Sequence, residues 1–234
     1  MTACCGDSTL HAQLAAACTA AHPGSCLCTH CLHERHSAEA DLHKIVVRLG
    51  IKAEQLDGCS TCTLHQTINI TYQEKCYVEG DALSVFHFWA GAVATGSTMT
   101  IESCGPESVQ GDVRFAEVMS LVGAQVQWQP YCINITGPQR DQLKGIEHDC
   151  NDIPDAAMSL AVAAVFAQGP TTIKHVFNWK VKETERMYAV VTEIRKLGVE
   201  VQEGRSYCTV MPPNTLKAAE IETYHDYRMA MAFS

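Results

Sequence analysis

Three stretches of the chain carry apolar residues at the spacing of one helix face and then stop at glycine. Leu42, Ile45, Val46 and Leu49 precede Gly50. Phe115, Val118, Met119 and Val122 precede Gly123, and Val190, Ile194 and Leu197 precede Gly198. Spacings of three and four put each set on one side of an α-helix, and glycine ends a helix because it accepts the left-handed turn found there. In the third helix Glu193 stands where a fourth apolar residue is expected. After each glycine, apolar and polar residues alternate in IKAE, AQVQW and VEVQ. A second run comes after each: TINIT (67–71), CINIT (132–136) and CTVMP (208–212). A period of two predicts strands with one buried face, and each pair reads as a β-hairpin, the first with the longest loop.

Another set of helices opens with aspartate: GDALSVFHFWAGA (80–92), PDAAMSLAVAA (154–164) and HDYRMAMAFS (225–234). Asp81, Asp155 and Asp226 sit where an N-cap carboxylate accepts the free N–H groups of the first turn. The strand-like runs STMTIE (97–102) and PTTIKHV (170–176) lie between these helices and the glycine-stopped ones. The unit is therefore strand, helix, strand, helix, hairpin. The glycines that mark it, Gly50, Gly123 and Gly198, are 73 and 75 residues apart. The pattern predicts an α/β fold of repeated βαβαββ units, with units at 75–142 and 143–214 and an incomplete one at 215–234. A repeat fold that stops inside a unit leaves an apolar face uncovered, so the pattern predicts a truncated piece of a longer protein.

Composition narrows the class. Of 234 residues 47% are apolar and 18% charged, as in a globular chain with a sizeable core. A net charge of -9 argues against a nucleic-acid partner but leaves room for a local cationic pocket. The longest apolar run, AAMSLAVAAVFA (156–167), is shorter than the roughly 18 residues that span a bilayer, and it predicts a buried core helix rather than a membrane partner. Eight of the 13 cysteines lie within residues 1–62, and the rest are scattered singly, as reduced thiols are. Cys28 and Cys31, like Cys59 and Cys62, have the spacing of zinc ligands. The gap between the pairs is longer than in common zinc modules, and no apolar periodicity surrounds them. Residues 1–36 are therefore read as a disordered Cys/His-rich leader with no metal assigned.

The stretches YVEGD, QGDVRFAEV, PDAAMSLAVAAVFAQGPTTI, NWKVKETERM and YHDYRMAMAFS resemble the 5-enolpyruvylshikimate-3-phosphate synthase (3-phosphoshikimate 1-carboxyvinyltransferase) family. The resemblance covers about residues 37–234 and is dense after Tyr72. It implies the enolpyruvyl transferase fold, an inside-out α/β barrel in two domains built from six βαβαββ units. Residues 37–74 would then be the tail of a preceding unit, in the other domain, and 75–234 part of the second domain. The implied reaction moves the enolpyruvyl group of phosphoenolpyruvate to the 5-hydroxyl of shikimate 3-phosphate, on the way to chorismate and the aromatic amino acids. It needs no metal or organic cofactor. The implied compartment is reducing, cytoplasm or plastid. The implied partner is the first domain of the same enzyme, without which this chain is expected to be inactive or nearly so.

NWKVKETERM (178–187) by itself reads as a solvated helix start laced with ion pairs, Lys182 and Arg186 sharing one face if 182–186 is helical. The resemblance gives it another role. It implies that Arg186 binds phosphoenolpyruvate, that Asn178 and Lys182 bind shikimate phosphate, and that Glu183 donates a proton, with Lys182 close enough to share the task. It further implies that Asp155 takes the 5-hydroxyl proton and that Arg228 is a second phosphoenolpyruvate-binding arginine. Asp81 is expected to remain a cap. Three positions depart from the family pattern: Tyr227 replaces His and cannot become cationic, Leu83 replaces a small polar residue, and Lys180 stands where Arg is common. Two other readings stay open, a degenerate non-catalytic fragment and the sibling transferase that acts on UDP-N-acetylglucosamine.

Overall fold

The structure is a computed structural model that describes residues 53–55, 62–64, 79–139, 141–182 and 184–234. The chain divides into two compact units, residues 1–78 with 109–111, and residues 79–108 with 112–234. In the first unit, β1 (Ala53–Gln55) pairs antiparallel with β2 (Cys62–Leu64). The expected hairpin partner, residues 67–71, lies outside the described residues, as do the leader and Cys59. The partner that is described, β2, falls inside the stretch read as the long loop.

The second unit holds the predicted succession. Helix α1 (Ala82–Thr95) leads to β3 (Thr98–Glu102). Helix α2 (Phe115–Leu121) then leads to the hairpin β4 (Gln125–Gln129) and β5 (Cys132–Thr136). The next stretch has the full βαβαββ order: β6 (Glu147–Asp149), α3 (Ala157–Ala163), β7 (Thr171–Lys174), α4 (Arg186–Lys196), β8 (Glu200–Glu203) and β9 (Tyr207–Met211). The last helix is α5 (Tyr227–Phe233). The sheets run β3-β5-β4 and β6-β7-β9-β8; β6 and β7 are parallel and every other neighbour is antiparallel.

Alternation decides which face of each sheet is covered. Ile133 and Ile135 of β5 are fully buried. They pair with Ile101 and Met99 on one side and with Trp128 and Val126 on the other. In the second sheet, Ile173 pairs with Cys208 and Val201 with Val210, again on the buried face. A slip of one residue would turn each of these sets to solvent, so burial holds the register. The helix stops are as expected: Gly123 (φ +110°) and Gly198 (φ +83°) take backbone conformations that a side chain resists.

Helix α3 lies at the centre, packed against α1, α4 and α5. Its Ala157, Met158, Ser159, Leu160, Ala161 and Ala163 are all buried. Small side chains let neighbouring helices approach closely, which brings the start of α3 near the starts of α4 and α5. The apolar run read as a core helix is therefore one, tightening into a 3-10 turn at Ala164–Phe166. Among the described residues no helix is long and apolar enough to cross a membrane.

Asp81 is the expected cap: its Oδ1 accepts from the Leu83 N–H at 3.0 Å and its Oδ2 from the Ser84 hydroxyl at 2.7 Å. Asp155 is not a cap. Helix α3 starts at Ala157 behind a helical Ala156, with no side-chain cap bond. Helix α4 does not reach back to Lys182 either. Phe177–Val181 form a 3-10 turn, Lys182 is extended, and α4 begins only at Arg186.

Ile173 sits at the centre of the four-stranded sheet, so Ile173→Ala should destabilise the fold by about 3 kcal/mol, a cavity cost typical of such truncations. Urea unfolding monitored by circular dichroism checks this; a loss below about 1 kcal/mol would mean that the site collapses around the smaller side chain.

Candidate active site

The break before α4 serves a purpose. Because the helix starts at Arg186, that side chain leaves its first turn and is 1% exposed. Its Nη1 donates to Asp155 Oδ1 at 2.6 Å and its Nε to Asp226 Oδ2 at 3.1 Å. The other Asp155 oxygen, Oδ2, faces Arg228 Nη2 at 3.1 Å. Asp226 also caps α5, its Oδ1 accepting from the Arg228 N–H at 2.9 Å. Asp155 therefore bridges two buried arginines, while Asp226 holds one arginine by its side chain and the other by its backbone. Asp155 does not cap α3 because the guanidinium groups make stronger, charge-assisted bonds to both of its oxygens than a peptide N–H would.

Burial by itself would raise the Asp155 pKa. The cations of Arg228, Lys182 and Arg186, with the Arg186 hydrogen bond, outweigh it and hold the carboxyl below its ordinary value. Among the described residues the cluster counts three cations, Lys182, Arg186 and Arg228, against the two carboxylates Asp155 and Asp226. Such an excess, set in a largely buried region, suits an anion.

Asn178 lies in the 3-10 turn, buried, and among the described residues its Oδ1 has no hydrogen-bond partner. The next residue, Trp179, donates its indole N–H to the Pro154 carbonyl at 2.7 Å. This bond ties the turn carrying Asn178 and Lys182 to the residue before Asp155. Tyr227 is exposed, with the Arg228 guanidinium 5.1 Å from its ring centre, a cation–π contact that leaves the tyrosine outside the ion network. Glu183 lies outside the described residues. Leu83 is partly buried against the core, in the first turn of α1.

Two residues that sequence reasoning passed over border the cluster. His87, on α1, meets Ser159 of α3 through Nδ1 and Oγ at 2.7 Å. Burial, and after it the Arg228 cation, push its pKa down to about 4 against the opposing pull of Asp155, so the ring is neutral at pH 7. A histidine within an apolar helix stripe gives no signal of this kind, and its neighbours arrive from positions 72 and 141 residues later. Asp226 was read only as a cap; nothing local to it shows that Arg186 will share its carboxylate.

Comparison with known proteins identifies the family. A family profile described as EPSP synthase (3-phosphoshikimate 1-carboxyvinyltransferase) matches residues 22–234, beginning inside the Cys/His-rich segment. The chain belongs to the EPSP synthase family. It is 48% identical over 196 residues to the chloroplastic 3-phosphoshikimate 1-carboxyvinyltransferase of Brassica napus, covering 82% of this chain and 38% of that relative. It is 51% identical over 157 residues to the 3-phosphoshikimate 1-carboxyvinyltransferase of Serratia proteamaculans, covering 67% of this chain and 36% of the relative. The EPSP synthase structure from Acinetobacter baumannii superposes with a TM-score of 0.66 at 21% identity, over 82% of this chain and 46% of that one. The enolpyruvyl transferase NikO from Streptomyces tendae superposes with a TM-score of 0.58 at 15% identity, over 84% of this chain and 46% of that one. These likenesses fix the EPSP synthase fold, and the chain spans 38% and 36% of the length of these two curated relatives.

Of the residues singled out in this chain, Asp155, Lys182, Arg186 and Arg228 come together. Asn178 lies on the 3-10 turn that ends just before Lys182.

Asp226→Asn should destabilise the fold at pH 7 by about 3 kcal/mol, because it leaves a buried guanidinium short of its carboxylate. Urea unfolding tests this, and a near-neutral result would mean that solvent reaches Arg186 on substitution. Asp155→Asn carries a pH signature. A carboxyl with a lower pKa folded than unfolded stabilises the fold above its unfolded value and loses that contribution as pH falls through its folded value. The stability gap between wild type and Asp155→Asn should therefore be full at neutral pH and close as pH falls below 3.8. Denaturation midpoints across that range measure it, and a gap that persists would assign the loss to packing.

Proposed function

We propose that this chain supplies half of the active site for transfer of the enolpyruvyl group from phosphoenolpyruvate to the 5-hydroxyl of shikimate 3-phosphate. The observation that carries the reading is the bridging of two buried arginines by Asp155, beside Lys182. Phosphoenolpyruvate brings a phosphate and a carboxylate on the same carbon. Two guanidinium groups and an ammonium suit such a pair, since planar forks match oxyanions in bidentate fashion. Asn178, with a buried side-chain oxygen to offer, suits the polar face of shikimate 3-phosphate.

In the reaction, a proton adds to the methylene carbon of phosphoenolpyruvate as the 5-hydroxyl oxygen bonds to the neighbouring carbon and loses its own proton. The tetrahedral adduct then expels phosphate, and loss of a proton from the new methyl group restores the double bond. Glu183, with Lys182, is assigned the methylene proton, and Asp155 the hydroxyl proton. Its arginine partners keep Asp155 ionised at neutral pH, ready to accept, but also make it a weak base. Anionic substrates beside Arg186 and Arg228 would offset those cations and raise its basicity when the hydroxyl is in place. Arg186 and Arg228 would stabilise the departing phosphate.

By this reading, residues 75–142 and 143–214 are two repeat units of the second domain of the enzyme, and the first domain completes the cleft and excludes water. The compartment is plastid or cytoplasm, the plant relatives being named chloroplastic. Tyr227 forms part of the rim, its ring against Arg228, and does not relay a proton.

The test mixes this chain with a separately expressed first domain of a related synthase. Phosphate release is then measured with both substrates present. Activity is expected only in the mixture, with a loss of about a hundredfold or more in Asp155→Asn, the scale of a missing general base. Two folded and associated halves that release no phosphate would favour a non-catalytic chain.

A further inference from the structure

We propose that Glu193 is a positioning residue for the arginine cluster: by clamping Glu222 and Tyr224 against α4, it sets where Asp226 and Arg228 stand. The proposal rests on the anion-binding reading of Arg186 and Arg228.

Glu193 is the polar interruption in the apolar stripe of α4, and it is 0% exposed. A fully buried carboxylate needs several donors. Its Oε1 accepts from the Tyr224 hydroxyl at 2.8 Å and its Oε2 from the Glu222 N–H at 3.0 Å, with Lys196 Nζ 2.8 Å from Oε2. Two of those donors belong to the segment that feeds the cluster, and the third is one turn along α4. The same segment is fastened to the end of the helix, where the Lys217 N–H donates to the Leu197 carbonyl at 2.9 Å. The Tyr188 ring meets Tyr224 edge-on, with centres 6.3 Å apart.

Immediately after the clamp the backbone makes a forced turn. Tyr224 (φ +55°) and His225 (φ +56°) are both left-handed, which side chains resist, and the Asp226 N–H donates back to the Thr223 carbonyl at 2.9 Å. Such a turn persists only where its surroundings hold it, and Glu193 binds it on its N-terminal side. The chain leaves the turn directly into Asp226, whose carboxylate meets Arg186, and then Arg228, which meets Asp155. Arg186 opens α4 and Glu193 stands two turns along the same helix, so one helix grips the loop at both points. Without the clamp, Arg228 would keep its charge but lose its fixed place.

The test uses two variants of this chain, Glu193→Gln and Tyr224→Phe. They are read by amide hydrogen exchange and by the side-chain Nε–H signals of Arg186 and Arg228 in nitrogen-15-labelled protein. Glutamine keeps the size but has one acceptor oxygen, so it cannot serve Tyr224, Glu222 and Lys196 together. In Glu193→Gln, exchange across residues 222–229 should quicken about tenfold with α1 unchanged, and the Arg228 signal should move. Tyr224→Phe should act in the same direction by about threefold. Titration with phosphoenolpyruvate should show affinity about tenfold weaker in Glu193→Gln than in wild type. A folded Glu193→Gln with unchanged exchange and arginine signals overturns the proposal. So does faster exchange spread equally over α1 and 222–229, the mark of a purely structural carboxylate. If Glu193→Gln does not fold, Tyr224→Phe decides by the same readouts. A wild-type chain that does not respond to phosphoenolpyruvate overturns the binding reading of the site, while exchange and the arginine signals still judge the clamp.

Discussion

Burying Arg186 is costly, and the second unit is arranged around making it tolerable. A guanidinium taken out of water loses several kcal/mol of hydration, and attraction to a partner restores this only when geometry and hydrogen bonding are good. Here Asp155 and Asp226 meet it from two different segments, and Arg228, two residues after Asp226, meets Asp155 in turn. Each of these charges needs the others, so the start of α3, the start of α4 and the start of α5 must stand together. A packed apolar cluster in the same place would hold those helix ends at lower cost. That argues for an ion network retained for what it binds.

The same network ties together groups with opposite tasks. In the proposed reaction Asp155 must be ionised to accept a proton, yet cations that hold it ionised weaken it as a base. The conflict would be relieved by substrate anions sharing those cations, which would link binding to proton transfer through plain electrostatics. His87 stays neutral nearby for a related reason: burial and the Arg228 charge both disfavour its proton. The region therefore carries its positive charge on Arg186, Arg228 and Lys182, and keeps the His87 ring out of the sum.

Position in this site is set by helix ends. Asp226 at the start of α5 and Arg186 at the start of α4 both leave a first turn, where backbone donors also lie. The loop before α5 is pinned to α4 by Glu193 and carries two left-handed residues, Tyr224 and His225. Rigid elements thus carry the charges, and an anchored loop leads into α5.

The periodicity of the chain determined most of the second unit by itself. Stripes such as Phe115, Val118 and Met119, and runs such as CINIT, can bury one face only as a helix or a strand, so elements and the hairpins β4–β5 and β8–β9 were legible. So were the stops at Gly123 and Gly198, because only their backbone tolerates the turn. The resemblance pointed to Asp155, Lys182, Arg186 and Arg228 as one site. Tertiary structure alone decided how they meet. Asp155 gave up the capping role its position suggests because two guanidinium groups arrive from 31 and 73 residues later, and charge-assisted bonds outcompete a peptide N–H. Lys182 stands outside helix α4, after a 3-10 turn that Trp179 holds on Pro154. Glu193 broke its stripe for donors that lie 29 and 31 residues away. Local pattern records which face of an element is apolar; it carries no trace of a distant polar partner, and each of these residues is settled by one.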